Sequence, residues 1–188
     1  MAIVLDEVAV ITRPGAESRR SETTSIANAL EPYRALLFME APATLDGGDV
    51  LRIGRKLYVG VSGRTDTNAV EQLGHILEPY GYAVEGVPVR GCLHLKSAVT
   101  QVSPDTVLIN PSWILRDAIA GMKTIEIAPG EDYAANSLLV SSTIVYPTCF
   151  PRTRERLEKH ELQIDTLDVS ELQKAEGAVT CCSLIFED

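Results

Sequence analysis

SETTSIANALEPY at 21–33 and TDTNAVEQLGHILEPY at 65–80 close on the same four residues, LEPY, 47 positions apart (77 − 30). Each opens on Ser or Thr ahead of a periodic apolar stretch, the mark of a helix start. Each is followed by a short apolar run, RALLFME at 34–40 and YAVEGVPV at 82–89. Self-similarity at a fixed period points to repeated supersecondary units, and the same order of elements can be followed twice more. A short strand comes first: AVIT at 9–12, LYVG at 57–60, TVLI at 106–109 and TIVY at 143–146. A turn rich in Gly, Pro or Arg ends it, and a helix follows, in the last two units SWILRDAIAGM at 112–122 and RTRERLEKHEL at 152–162. A second strand comes next (LLFME, AVEGV, TIEIA, QIDTLDV), and a last strand closes each unit (LDGGDVLRIG, LHLKSAVTQV, NSLLVSS, CCSLIFED). The strands are short, rich in β-branched residues and bounded by breakers. The chain therefore reads as α/β, with four strand-helix-strand-strand units of about 45 residues. None could bury its apolar face alone, so they are expected to pack about one centre.

The start of the last strand reads ATLDGGD, GCLHLKS, YAANSLL and VTCCSLI in the four units. Its polar residues are Asp46, His94, Asn136 and Cys181, spaced 48, 42 and 45 apart (94 − 46, 136 − 94, 181 − 136). Equivalent positions in a pseudo-symmetric ring face the same axis. A thiol, a proton carrier and an orienting carboxylate brought together are the parts of a nucleophilic site. A free thiol has a pKa of about 8.5 and must be activated to attack near neutral pH. Taken singly, these residues have plainer roles. A Cys before an apolar strand is usually a small core residue, and a His between two leucines a satisfied core or edge histidine. Asp46-Gly47-Gly48-Asp49 would be a turn, and Asn136 a turn cap. The shared register favours the catalytic reading for Asp46, His94 and Cys181. Zinc on these three would lack a local ligand pair, so no metal is expected.

The 188 residues fit one domain, 1–188, with a substantial core. A net charge of −9 argues against a nucleic-acid partner, which needs basic patches. No apolar run approaches the roughly 18 residues of a membrane span, and MAIVLDEV lacks the basic segment of a signal peptide. A cytoplasmic chain without a membrane partner is expected. Its four cysteines, Cys92, Cys149, Cys181 and Cys182, are then expected as reduced thiols.

ITRPGAESRR at 11–20, TLDGGDVL at 44–51, YVGVSGRT at 58–65, LHLKS at 93–97 and TCCSLIF at 180–186 resemble, in this order, the dimethylarginine dimethylaminohydrolase family. That family belongs to the pentein superfamily, with arginine deiminases and amidinotransferases. The resemblance implies an α/β propeller of ββαβ-type units around a central site. It also implies cofactor-free hydrolysis of Nω-methylated arginine to citrulline and a methylamine. By position, Cys181 would be the nucleophile, Cys182 its non-catalytic neighbour, His94 the general acid and base, and Asp46 the residue orienting His94. Arg19, with Arg20 as its competitor, and Arg64 would hold the substrate α-carboxylate, and the backbone at Ala175 would meet the α-amino group. Without the motifs, Arg19 and Arg64 would pass as solvated surface charges. Lys96 stands where arginine deiminases usually carry an acidic residue, so arginine deimination is the second choice.

Four units are one short of the five that the resemblance implies. The family's acidic motif, similar to FVED, would precede Met1, and Asp6 and Glu7 align with the hairpin turn that follows it. On this reading the first unit is missing, and with it the carboxylates that would offset burial of a guanidinium. Unpaired strand edges would then favour self-association, and a catalytically impaired fragment or pseudoenzyme is the alternative to an active hydrolase.

Overall fold

Asp6 and Glu7 turn the chain back between two apolar runs. Strand β1 (Ala2–Val4) lies antiparallel to β2 (Val8–Ile11), with Ala2 opposite Ile11, and the Leu5 N–H closes the turn on the Val8 carbonyl at 2.9 Å. A third strand, β3 (Ala35–Phe38), joins β2 in parallel. Parallel neighbours need a long crossover, and α1 (Glu22–Leu30) supplies it, packing its buried Ala27 and Leu30 with Ala2, Ala9 and Ile11. The computed structural model describes residues 1–181 and 183–187; Cys182 lies outside the described residues.

The same strand-strand-helix-strand order recurs. Strand β4 (Val50–Ile53) pairs antiparallel with β5 (Lys56–Val61), and β6 (Ala83–Pro88) lies parallel to β5. Between them runs α2 (Thr67–Leu77), capped by Asp66, whose side chain accepts the Ala69 N–H at 2.9 Å. Its Ala69, Leu73 and Leu77 form a buried stripe at four-residue spacing. That stripe shares one core with Val8 and Val10 of β2, Leu45, Val50, Leu57 and Val59. The chain divides into two compact halves. The first comprises Met1–Pro88, Leu93–Leu95 and the stretch from Leu184 onward; the second comprises Val89–Cys92 and Lys96–Ser183.

A single-turn helix, α3 (Leu95–Ala98), leads into β7 (Val99–Ser103). Strand β7 pairs antiparallel with β8 (Thr106–Ile109) through a bulge near Gln101, and β9 (Lys123–Glu126) runs parallel to β8. The last sheet repeats the pattern: β10 (Leu138–Val140) antiparallel to β11 (Thr143–Pro147), then β12 (Gln163–Leu167) parallel to β11, with α4 (Pro151–Glu158) between. A short α5 (Ser170–Gln173) follows. Val102, Leu108, Ile125, Ile144, Tyr146 and Leu157 anchor the core of this half. Among the described residues no helix is long and apolar enough to cross a membrane.

Every expected first and second strand of the four units is present, but pairing shifts the boundaries. The strand read as closing a unit hydrogen-bonds to the first strand of the next, so the bonded unit is strand-strand-helix-strand. Three expectations fail locally. No helix spans 112–122; the segment is a run of turns. There Asn110 acts as an alternative to helix: its side chain accepts the Ser112 N–H and donates to the Asp132 carbonyl, both at 2.9 Å. The buried Ile114 and Ile119 are five apart, off the spacing of a helix face. LDGGDVLRIG and LHLKSAVTQV are strand only in their second halves. The terminal CCSLIFED has no strand among its described residues; instead Phe186 packs on the core of the first sheet and meets Tyr33 edge to face at 5.5 Å.

Leu73 is fully buried at the centre of the α2 stripe. Leu73→Ala is expected to cost about 2–5 kcal/mol of unfolding free energy in urea titration. A cost below about 1 kcal/mol would show that α2 does not clamp the core.

Candidate active site

Asp46 and Asp49 stand three residues apart around a 3-10 turn, Gly47–Asp49, that feeds β4. His94 stands just before α3. His94 comes to rest on the backbone of that turn. A Cβ at Gly48 would lie 2.7 Å from His94 Cγ and 2.9 Å from Nδ1, so only glycine admits the ring. A second close approach brings TRPG to SGRT: a Cβ at Gly15 would fall 2.5 Å from the Arg64 carbonyl oxygen.

His94 Nε2 lies 3.1 Å from Asp46 Oδ2. Asp46 is only 6% exposed, and its other oxygen accepts the Gly15 N–H at 3.0 Å. Its own N–H donates to Thr65 Oγ1 at 3.1 Å. Burial works against ionisation of Asp46. The His94 and Gly15 hydrogen bonds and the charges of His94 and Arg64 outweigh it and hold the carboxyl below the usual carboxylate range. An ionised Asp46 that accepts from Nε2 favours the tautomer of His94 with its proton on Nε2.

Asp49 is the residue that sequence reasoning missed. It is 0% exposed and accepts from the Leu95 N–H at 2.8 Å, Ser62 Oγ at 2.8 Å and Thr65 Oγ1 at 2.7 Å. Burial pushes its carboxyl up, and these donors, with the His94 charge, offset that only in part. An Asp held between Gly48 and the apolar Val50-Leu51 was the available signal, hidden because Asp-Gly-Gly-Asp also reads as an open turn.

Arg64 belongs to the loop after β5; its N–H donates to Ser62 Oγ at 3.0 Å, and its charge acts on Asp46. Arg19 sits on a 3-10 turn, Glu17–Arg19, and forms a two-pronged, half-exposed pair with Glu22, both bonds 3.1 Å. Arg20 holds the turn from inside, donating to the Pro14 carbonyl at 3.3 Å and to Glu17 at 3.2 Å.

Cys181 belongs to the second half and is exposed, with its N–H on the Ala178 carbonyl at 3.0 Å. The preceding Thr180 is tied to Asn136, whose amide donates to Thr180 Oγ1 at 2.8 Å and to the Lys96 carbonyl at 2.9 Å. Asn136 thus links two backbone segments in the place the repeat assigns it. Ala175 is exposed and its N–H is bonded to the Leu172 carbonyl at 3.0 Å, so an ammonium there would meet its carbonyl oxygen.

The depressed Asp46 carboxyl makes a signed prediction. A carboxylate whose folded value is lowered adds stability above its unfolded value, near 3.8, and loses it as pH falls through the folded value. The gap in Tm between the parent and Asp46→Asn is expected to be widest at neutral pH and to close below pH 3.8. A gap independent of pH would mean that Asp46 is not held ionised.

Residues 38–137 match a family model described as arginine deiminase. The chain is 34% identical to N(G),N(G)-dimethylarginine dimethylaminohydrolase of Pseudomonas aeruginosa, covering 95% of this chain and 71% of that protein. It is 40% identical to the protein of the same name from Streptomyces coelicolor, covering 97% of this chain and 70% of that one. A cysteine-to-serine variant of the Pseudomonas aeruginosa enzyme, solved with citrulline, superposes with a TM-score of 0.93 at 33% identity, covering 98% of this chain and 73% of that one. The expected α/β architecture of pentein type is therefore the one observed, and the chain belongs to the dimethylarginine dimethylaminohydrolase family of the pentein superfamily.

Proposed function

We propose that this protein is a cysteine-dependent amidine hydrolase that converts Nω-methylated arginine, asymmetric dimethylarginine above all, to citrulline and dimethylamine. The observation that carries the reading is the buried Asp46 holding His94 Nε2 at 3.1 Å on the glycine bed of Gly48. That is an oriented proton carrier in a family of such hydrolases.

Cys181 is the nucleophile in this proposal. Its support is the repeat register, in which Asp46, His94 and Asn136 each precede the first strand of a sheet, together with the TCCS motif. The thiolate adds to the guanidinium carbon, forming an S–C bond. His94 protonates the dimethylamino nitrogen, and the C–N bond breaks to release dimethylamine. Neutral His94 takes a proton from water as the water adds to the thiouronium carbon, and breaking the C–S bond returns the thiolate and citrulline, whose new hydroxyl gives up its proton to the released dimethylamine, which departs as dimethylammonium. Asp46 steadies His94 in both charge states. Arg64 and Arg19 take the α-carboxylate with planar, two-pronged donors. For Arg19 the substrate would displace Glu22 from an exposed pair, which is a weak competitor. The Ala175 carbonyl takes the α-ammonium.

The reading assigns a cytoplasmic location and a single pentein-type domain. The edge strands β1 and β3 of the first sheet are the proposed route of self-association. Because the matching family model is described as arginine deiminase, arginine is the control substrate.

Citrulline formation is expected from asymmetric dimethylarginine and not from arginine. It should vanish in Cys181→Ala and fall about 10²–10⁴-fold in His94→Ala. Turnover that survives Cys181→Ala, or a folded parent that makes no citrulline, would sink the proposal. Arg64→Lys keeps the charge but not the fork, and is expected to raise KM about tenfold, about 1.4 kcal/mol of binding. An unchanged KM would remove Arg64 from the carboxylate site.

A further inference from the structure

Asp49 is the most deeply buried carboxyl group among the described residues, and no step of the proposed reaction uses it. Its two oxygens are divided between two loops. Oδ1 takes the Leu95 N–H at 2.8 Å, the peptide directly after His94. Oδ2 takes the hydroxyls of Ser62 and Thr65 at 2.8 and 2.7 Å, the residues on either side of Gly63-Arg64. Each hydroxyl has a single proton, and both protons are committed to Asp49. With those protons placed, the hydroxyl oxygens accept backbone N–H groups: Ser62 from Arg64 at 3.0 Å, Thr65 from Asp46 at 3.1 Å. The direction of every bond in this group follows from one acceptor-only carboxylate at its centre.

We propose that Asp49 is a positioning residue that sets the proton carrier His94, its orienting Asp46 and the carboxylate clamp Arg64 in one frame. The proposal rests on the functional reading above and adds a coupling that the reading does not require. Turnover and substrate capture share one buried anchor. Disturbing it moves kcat and KM together, whereas disturbing only the Arg64 side moves KM alone.

Asn has nearly the shape of Asp, but its amide offers one accepting and one donating end. Turned one way, the NH2 group faces the Leu95 N–H; turned the other, it faces two hydroxyls whose protons point at it. Asp49→Asn is therefore expected to lower kcat and raise KM for asymmetric dimethylarginine, each about tenfold. Ser62→Ala should raise KM about fivefold with kcat within twofold of the parent. Folded Asp49→Asn with parent kcat and KM overturns the proposal, as does a loss of kcat alone, which would confine Asp49 to His94. If Asp49→Asn does not fold, the Ser62→Ala/Thr65→Val double variant removes both hydroxyl donors and leaves Asp49 in place. It is expected to shift both constants, and parent constants in it are equally fatal. The ¹⁵N imidazole resonances of His94, recorded without substrate, separate this proposal from the functional one. They should move in Asp49→Asn whether or not the parent turns over, and unmoved resonances in a folded variant refute the role of Asp49. A parent that makes no citrulline refutes only the functional reading.

Discussion

In the first half of the chain, three donors converge on a carboxylate that has no access to water. Asp49 accepts a backbone N–H and two hydroxyls and offers nothing in return. A buried carboxylate without such partners would cost several kcal/mol, so the turn before β4, the loop after β5 and the peptide beyond His94 come together as a set. The close approach of His94 to Gly48 depends on that arrangement, since the ring lies where any Cβ would be.

Two carboxylates three residues apart consequently behave in opposite ways. Burial opposes ionisation of Asp46, but the hydrogen bonds from His94 and the Gly15 N–H, and then the charges of His94 and Arg64, outweigh it. For Asp49 burial dominates over its hydrogen bonds and the His94 charge. Environments that push neighbouring acids apart are a recurring feature of catalytic sites. Here the division assigns charge balance to Asp46 and geometry to Asp49. An ionised Asp46 also favours the His94 tautomer that carries its proton on Nε2, a choice that composition could not make.

The repeat places the polar residues of this site at equivalent positions. Each antiparallel hairpin is followed by a strand parallel to its second member, so a crossover is required each time. In three sheets that crossover contains a helix, and in the third sheet a run of turns held by Asn110 replaces it. The residues that precede each hairpin are released from pairing, and the polar positions Asp46, His94 and Asn136 fall there. The three make different contacts: Asp46 and His94 meet as a carboxylate–imidazole pair, and Asn136 ties the Cys181 segment to the backbone of Lys96.

Much of this was legible in the amino-acid order. Strand periodicity, Ser/Thr helix starts and LEPY revealed the units, because those signals are local and each unit repeats them. The register Asp46, His94, Asn136, Cys181 was legible for the same reason. Which strands hydrogen-bond was not, since an apolar run pairs equally well with the run before it or after it. The loss of the helix at 112–122 depended on Asn110 reaching Asp132, a partner 22 residues away. Asp49 looked like half of a surface turn, and only the arrival of Ser62, Thr65 and Leu95 made it a buried anchor. The sequence by itself determined the residue types, the repeat and the family. Tertiary structure alone decided pairing, burial and the opposite pKa directions of Asp46 and Asp49, because those depend on groups brought close in space by segments far apart in the chain.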